Sequence, residues 1–124
     1  MKTIFYVAIG GSLGAVLRYL ISSWVYQWLG RGFPWGTLAV NVIGSLLMGF
    51  LFIFFTQRVI VAPDLKMAIL VGGLGALTTF STFSIETLNL IEGGASPVAF
   101  ANVVVSVVLC VFAVWLGMWL ARVV

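Results

Sequence analysis

The chain has 124 residues, 63% hydrophobic and only 7% charged, with six Lys/Arg, three Asp/Glu and no His. A soluble domain is about 45–50% apolar and about 25% charged, and so short a chain has too little interior to hide the excess. A mean hydropathy of +1.25 therefore places the protein in a membrane. The same composition removes His-based triads and clustered metal ligands, because the carboxylates are only Asp64, Glu86 and Glu92. Cys110 is alone, which excludes an intrachain disulfide, and no basic run suggests a nucleic-acid partner.

A spanning helix needs about 20 mostly apolar residues. Four such segments fit and use nearly the whole chain, which predicts an all-α fold with one membrane domain over residues 1–124. The first runs from about residue 3 to 29 and ends at Gly30-Arg31-Gly32-Phe33-Pro34, where glycines and a proline break a helix. Lys2 precedes an apolar run, but no clean small-x-small cleavage site follows, so this segment is read as a span and not as a cleaved leader. The second runs from about 35 to 57, with Arg58 closing it. The third runs from about 64 to 92, with Asp64 expected as N-cap and Glu92-Gly93-Gly94 at its end. The fourth runs from about 97 to 122, with Ser96 expected as the cap and Pro97 at the first helical position.

Trp24, Trp28 and Trp35 cluster at the first loop, and Tyr6, Trp115 and Trp119 lie toward the opposite ends of their segments, as interfacial aromatics do. Four spans put both termini on one side. That side carries Lys2, Arg58, Lys66 and Arg122 against Arg31 opposite, which leans toward cytoplasmic termini.

Several residues interrupt the apolar pattern. A central Arg costs about 2.5–3.5 kcal/mol on insertion scales. Snorkelling from Arg18 to the first loop would have to cover roughly 16 Å at 1.5 Å per residue, which favours a buried or vestibule-facing role over snorkelling. Gly10 and Gly14, Ser45 and Gly49, and the ladder Ala113-Gly117-Ala121 have the four-residue spacing that lets helices approach closely.

The third segment is unusual. Val71-Gly72-Gly73-Leu74-Gly75-Ala76-Leu77 is followed by Thr78-Thr79-Phe80-Ser81-Thr82-Phe83-Ser84. Three glycines in four residues weaken a helix by about 1 kcal/mol each relative to Ala, and the dense hydroxyls offer the backbone other partners. A helix broken near mid-membrane is predicted, buried in protein or lining a wet cavity; a kinked helix with back-bonded hydroxyls is the alternative. At about 100° per residue, Thr79, Thr82, Glu86 and Asn89 form one polar stripe. Phe80 and Phe83 fall on a different face. Core packing is their default role, and the electropositive ring edge gives a second, contact with an anion. Asn41 with Ser45, and Asn102 with Ser106, add polar pairs one turn apart. Neutral hydroxyl and amide donors suit a small anion, whereas rings of carboxylates would suit cations. A four-helix protomer leaves little room for a pore of its own, so an oligomer is expected.

These segments resemble the Fluc (CrcB-type) fluoride channels over essentially the full chain. The likeness rests on Gly10-Gly11-Ser12-Leu13-Gly14-Ala15-Val16-Leu17-Arg18-Tyr19, on Gly36-Thr37-Leu38-Ala39-Val40-Asn41-Val42-Ile43-Gly44-Ser45, and on Gly75-Ala76-Leu77-Thr78-Thr79-Phe80-Ser81-Thr82-Phe83-Ser84-Ile85-Glu86. The resemblance implies a passive fluoride-selective channel in the bacterial inner membrane that exports fluoride from the cytoplasm. It also implies an antiparallel, dual-topology homodimer with two pores. The basic residues, four on one side against one on the other, do not themselves favour dual insertion. By position, Phe80 and Phe83 match the pore phenylalanines and Asn41 the pore asparagine. Ser81, Thr82, Ser84 and Ser106 match hydroxyls near the pathway, Glu86 continues its polar track, and Arg18 matches the helix-one arginine. Gly75 and Thr78 match positions whose backbone carbonyls hold a structural sodium ion at the dimer interface. One departure is Asn102, where many relatives carry Tyr. The runner-up reading is a small multidrug-type exporter coupling protons to cationic solutes, which would need a carboxylate in helix one. A non-transporting scaffold would not need the break in the third segment.

Overall fold

Away from water a backbone must satisfy its N–H and C=O groups internally, so each long apolar segment becomes a helix. The computed structural model describes residues 1–124. Its helices are α1 (Lys2–Leu29), α2 (Trp35–Arg58, the last turn π-wound), α3 (63–77), α4 (Phe80–Glu92) and α5 (Ser96–Val123). There is no strand. α3 and α4 together make the third span, Pro63–Glu92, so four spans cross the membrane with a broken third.

The two expected caps are corrected. Ala62 is the residue before α3 and Pro63 begins it, so Asp64 sits inside the first turn. There its carboxylate accepts a 2.6 Å hydrogen bond from the Thr3 hydroxyl and ties the start of α1 to the start of α3. α5 begins one residue early, with Ala95 at the cap position and Ser96 already helical, and no side chain caps it. Both segments place proline in the first turn, where a missing N–H costs nothing.

Close backbone approach explains the small-residue spacings. A Cβ on Gly10 would overlap the Ala68 carbonyl, and one on Gly14 would overlap the Gly73 carbonyl. α1 therefore lies directly against the middle of α3, which is π-wound from Ala68 to Leu74. Gly49 and Gly117 do the same for α2 and α5, where a Cβ would meet the backbone of Val114 or of Leu46 and Phe50. At the far end of this pair Arg58 donates to the Arg122 carbonyl. Between these contacts Val40, Leu70, Leu74 and Leu77 form a small core. Only 23 of the 124 residues are buried, so most apolar side chains face outward, as a bilayer or a second chain requires.

Candidate functional site

The break in the third span is the centre of the site. Thr78 (φ −81°, ψ 155°) and Thr79 (φ −151°, ψ 117°) are extended between two helices. Three side chains hold this geometry. Thr78 Oγ1 donates to the Leu74 carbonyl at 3.0 Å. Thr79 Oγ1 accepts from the Thr82 N–H at 3.2 Å and caps α4. Asn41, from α2, braces the break itself. Its Oδ1 accepts from the Thr79 N–H at 2.7 Å and its Nδ2 donates to the Thr79 carbonyl at 3.1 Å. This reciprocal pair fixes which way the amide faces, because an N–H can only donate and a carbonyl can only accept. Gly44, one turn further along α2, makes room for the Thr78 methyl.

In an unbroken helix the Gly75 carbonyl would accept from the Thr79 N–H. That N–H is given to Asn41, so Gly75 lacks its helical partner. Thr78, in an extended conformation, turns its own carbonyl out of helical alignment. Gly75 is exposed on the protomer surface. The break thus offers backbone oxygens there, the donor type a hard cation accepts.

A groove of about 360 Å³ opens beside the break. Asn41, Thr78, Thr79, Phe80, Phe83 and Ser106 line it, and none of its lining residues is charged. The Phe80 and Phe83 rings lie 5.2 Å apart at 42°. They differ sharply in environment: Phe83 is 8% exposed and Phe80 77% exposed. On the other side of α4 lies a separate polar cavity of about 250 Å³, lined by Arg18, Ser22, Tyr26, Thr37, Thr79, Thr82 and Glu86. A third, of about 240 Å³, holds Tyr26, Arg31, Glu86 and Asn89 near the loops. Thr79 is shared by the groove and the middle cavity, and Tyr26 and Glu86 by the middle and outer ones. The stripe Thr79, Thr82, Glu86, Asn89 is the wall that runs through them.

The expected site residues therefore separate into groups. Asn41, Phe80, Phe83 and Ser106 meet in the groove. Arg18, Thr82 and Glu86 meet in the middle cavity. Ser81 and Ser84 are exposed and line neither cavity. The Ser84 hydroxyl donates to the Phe80 carbonyl at 2.8 Å, and Ser81 Oγ lies 3.2 Å from Thr79 Oγ1.

A sequence profile of the family described as CrcB-like protein, Camphor Resistance (CrcB), matches residues 5–118. The chain belongs to the CrcB family. It is 58% identical over 119 residues to a Magnetococcus marinus protein named fluoride-specific ion channel FluC, covering 96% of this chain and 97% of that one. Relatives of the same name from Methylococcus capsulatus and Geobacter sp. (strain M21) are 54% and 49% identical over 97% and 98% of this chain. The chain covers 98% of the Geobacter protein but only 53% of the Methylococcus protein, which is about twice as long.

The expected pairing of Asn102 with Ser106 is present in this CrcB chain, but two features go beyond it: the further partner that Asn102 finds on α4, and Tyr26. Asn102, 1% exposed, does not face the groove. Its Nδ2 donates to Thr87 Oγ1 at 2.8 Å, its Oδ1 accepts from Ser106 Oγ at 3.1 Å, and Thr87 in turn donates to the Phe83 carbonyl at 2.7 Å. This strut joins α5 to α4 and commits the Ser106 proton to Asn102. Tyr26 is the second. In the sequence it lies between Trp24 and Trp28. Its spacing was the available signal: Arg18, Ser22 and Tyr26 are successive fourth residues and share one helix face.

Proposed function

We propose that this protein is a passive fluoride-selective channel of the bacterial inner membrane, exporting fluoride from the cytoplasm. We further propose that it works as an antiparallel homodimer with two pores and a structural sodium ion at the interface. Membership of the CrcB family and relatives named as fluoride-specific channels support the substrate. The observation that carries the reading is the groove: an uncharged cleft lined by Phe80 and Phe83 beside a helix break braced by Asn41.

Fluoride holds its water tightly, so a site must offer close donors to replace that shell. Asn41 retains one N–H beyond the one given to Thr79, because a primary amide has two. The edges of Phe80 and Phe83 supply electropositive C–H groups without a counter-charge that would trap the ion. Weak, repeated sites of this kind let an ion enter and leave. Arg18 raises the potential beside the break from the middle cavity.

The groove opens on the outside of the protomer, and its amide and hydroxyl groups would be costly against lipid. A second copy closing it satisfies both constraints. The released Gly75 and Thr78 carbonyls lie on the same break, and two copies would bring together enough oxygens for a sodium ion, whose part is to hold the two breaks in register. The antiparallel arrangement rests on the family resemblance. A proton-coupled cation exporter is disfavoured because α1 carries Arg18 where that reading needs a carboxylate. The deciding experiment is ion efflux from reconstituted liposomes, fluoride against chloride, followed with ion-selective electrodes. Fluoride efflux far faster than chloride is expected; equal rates, or no flux, would overturn the assignment.

A further inference from the structure

The Tyr26 hydroxyl stands at the junction of the outer and middle polar cavities, both of which Tyr26 and Glu86 line. It donates to Glu86 Oε1 at 2.9 Å and lies 3.4 Å from Thr37 Oγ1. The phenol has one proton and a carboxylate only accepts, so Thr37 is the donor in the second bond. A three-helix chain results, from Thr37 on α2 through Tyr26 on α1 to Glu86 on α4. The ring is held firmly. Gly36 leaves the space it occupies, since a Cβ there would come within 2.7 Å of Tyr26 Cδ2, and the Arg31 guanidinium covers the ring at 4.6 Å.

Glu86 has no other anchor. Its second oxygen, Oε2, is buried without a hydrogen-bond partner, so Arg18 does not pair with it although both line the middle cavity. The Glu86 carboxyl is the one acidic side chain along this wall.

We propose that Tyr26 is a positioning residue for ion passage: its hydroxyl pins the Glu86 carboxylate aside at the junction of the two cavities and leaves the Arg18 charge uncancelled. This rests on the fluoride-channel reading. Without the hydroxyl the carboxylate is free to swing onto Arg18. The pair would then neutralise the middle cavity and remove its attraction for an anion.

The test is fluoride efflux from liposomes containing the full-length protein, comparing the unmodified channel, Tyr26→Phe, Glu86→Gln and the double variant. Phenylalanine keeps the ring in its slot, and the elution profile of the purified protein checks that assembly is intact. Tyr26→Phe is expected to slow efflux about tenfold, the rate equivalent of one hydrogen bond to a charged group at the low end of its range. In the Glu86→Gln background, with no charge to restrain, the same change is expected to cost no more than about twofold. A purely structural loss would be the same in both backgrounds. Efflux by Tyr26→Phe at or above the unmodified rate overturns the proposal, as does an equal loss in both backgrounds. An unmodified channel that carries no fluoride would overturn the underlying reading instead, and that result is visible before any variant is compared.

Discussion

Asn41→Asp changes the brace on the helix break by a single group. In the native protein the Thr79 N–H and carbonyl are both paired to the Asn41 amide, at 2.7 and 3.1 Å. Aspartate keeps the acceptor. It replaces the donor with an oxygen that faces the Thr79 carbonyl oxygen. One hydrogen bond is lost, worth about 1 kcal/mol, and a buried carbonyl is left unpaired at about 1–3 kcal/mol. Oxygen–oxygen repulsion adds to this, so the braced conformation loses on the order of 3 kcal/mol. A loss of that size changes its population relative to a relaxed one by about a hundredfold. The variant also sets a negative charge in the proposed anion path. Fluoride efflux from liposomes is therefore expected to fall to background. Hydrogen exchange at the Thr79 amide provides the independent readout, with loss of protection expected while the amides of α1 stay protected. Normal flux together with a protected Thr79 amide would refute the brace and take Asn41 off the pathway.

Other substitutions separate packing from transport. Phe80→Ile and Phe83→Ile are both expected to cut fluoride efflux strongly. Phe80→Ile should lower the melting temperature in detergent less than Phe83→Ile, because within the protomer Phe80 is 77% exposed and Phe83 only 8%. Phe83→Ile, at a buried position, should cost about 1–2 kcal/mol; equal melting shifts would contradict this difference in burial. Gly14→Ala drives a methyl into the Gly73 carbonyl, and is expected to cost about 3 kcal/mol, the upper end for overpacking. It should be read as a sharp loss of folded protein on size-exclusion chromatography; a normal yield would show that α1 and α3 can separate without penalty. Asn102→Leu leaves Thr87 and Ser106 without their common partner, and a fall in stability of about 1–3 kcal/mol is expected, measured by thermal unfolding; an unchanged midpoint would remove the strut from the stability of the α4–α5 pair.

The four spans, the break and the polar stripe were legible in the residues themselves. Hydropathy is a local property that sums along a segment, so 20 apolar residues announce a span whatever they pack against. Likewise Gly72, Gly73 and Gly75 followed by five hydroxyls weaken a helix through their own conformational preferences. The stripe from Thr79 to Asn89 needed only the helical repeat. The two expected caps at Asp64 and Ser96 failed for a reason of the same local kind. A proline in the first turn allows a helix to begin without a side-chain cap, and a carboxylate freed from capping is available elsewhere, here to Thr3.

The partners across the chain were decided only by the tertiary structure. Asn41 and Thr79 are 38 residues apart, and Tyr26 and Glu86 are 60 apart. Whether such groups meet depends on how far each helix is rotated about its axis and how it slides along its neighbour. Those quantities are set where glycine backbones touch, at Gly10 and Gly14 against α3 and at Gly49 and Gly117 between α2 and α5. The residues on the polar faces do not encode them. Composition already confined this protein to neutral donors and very few charges. The packing of small residues determined which of those donors brace the break, which line the groove, and which single hydroxyl holds the intramembrane carboxylate.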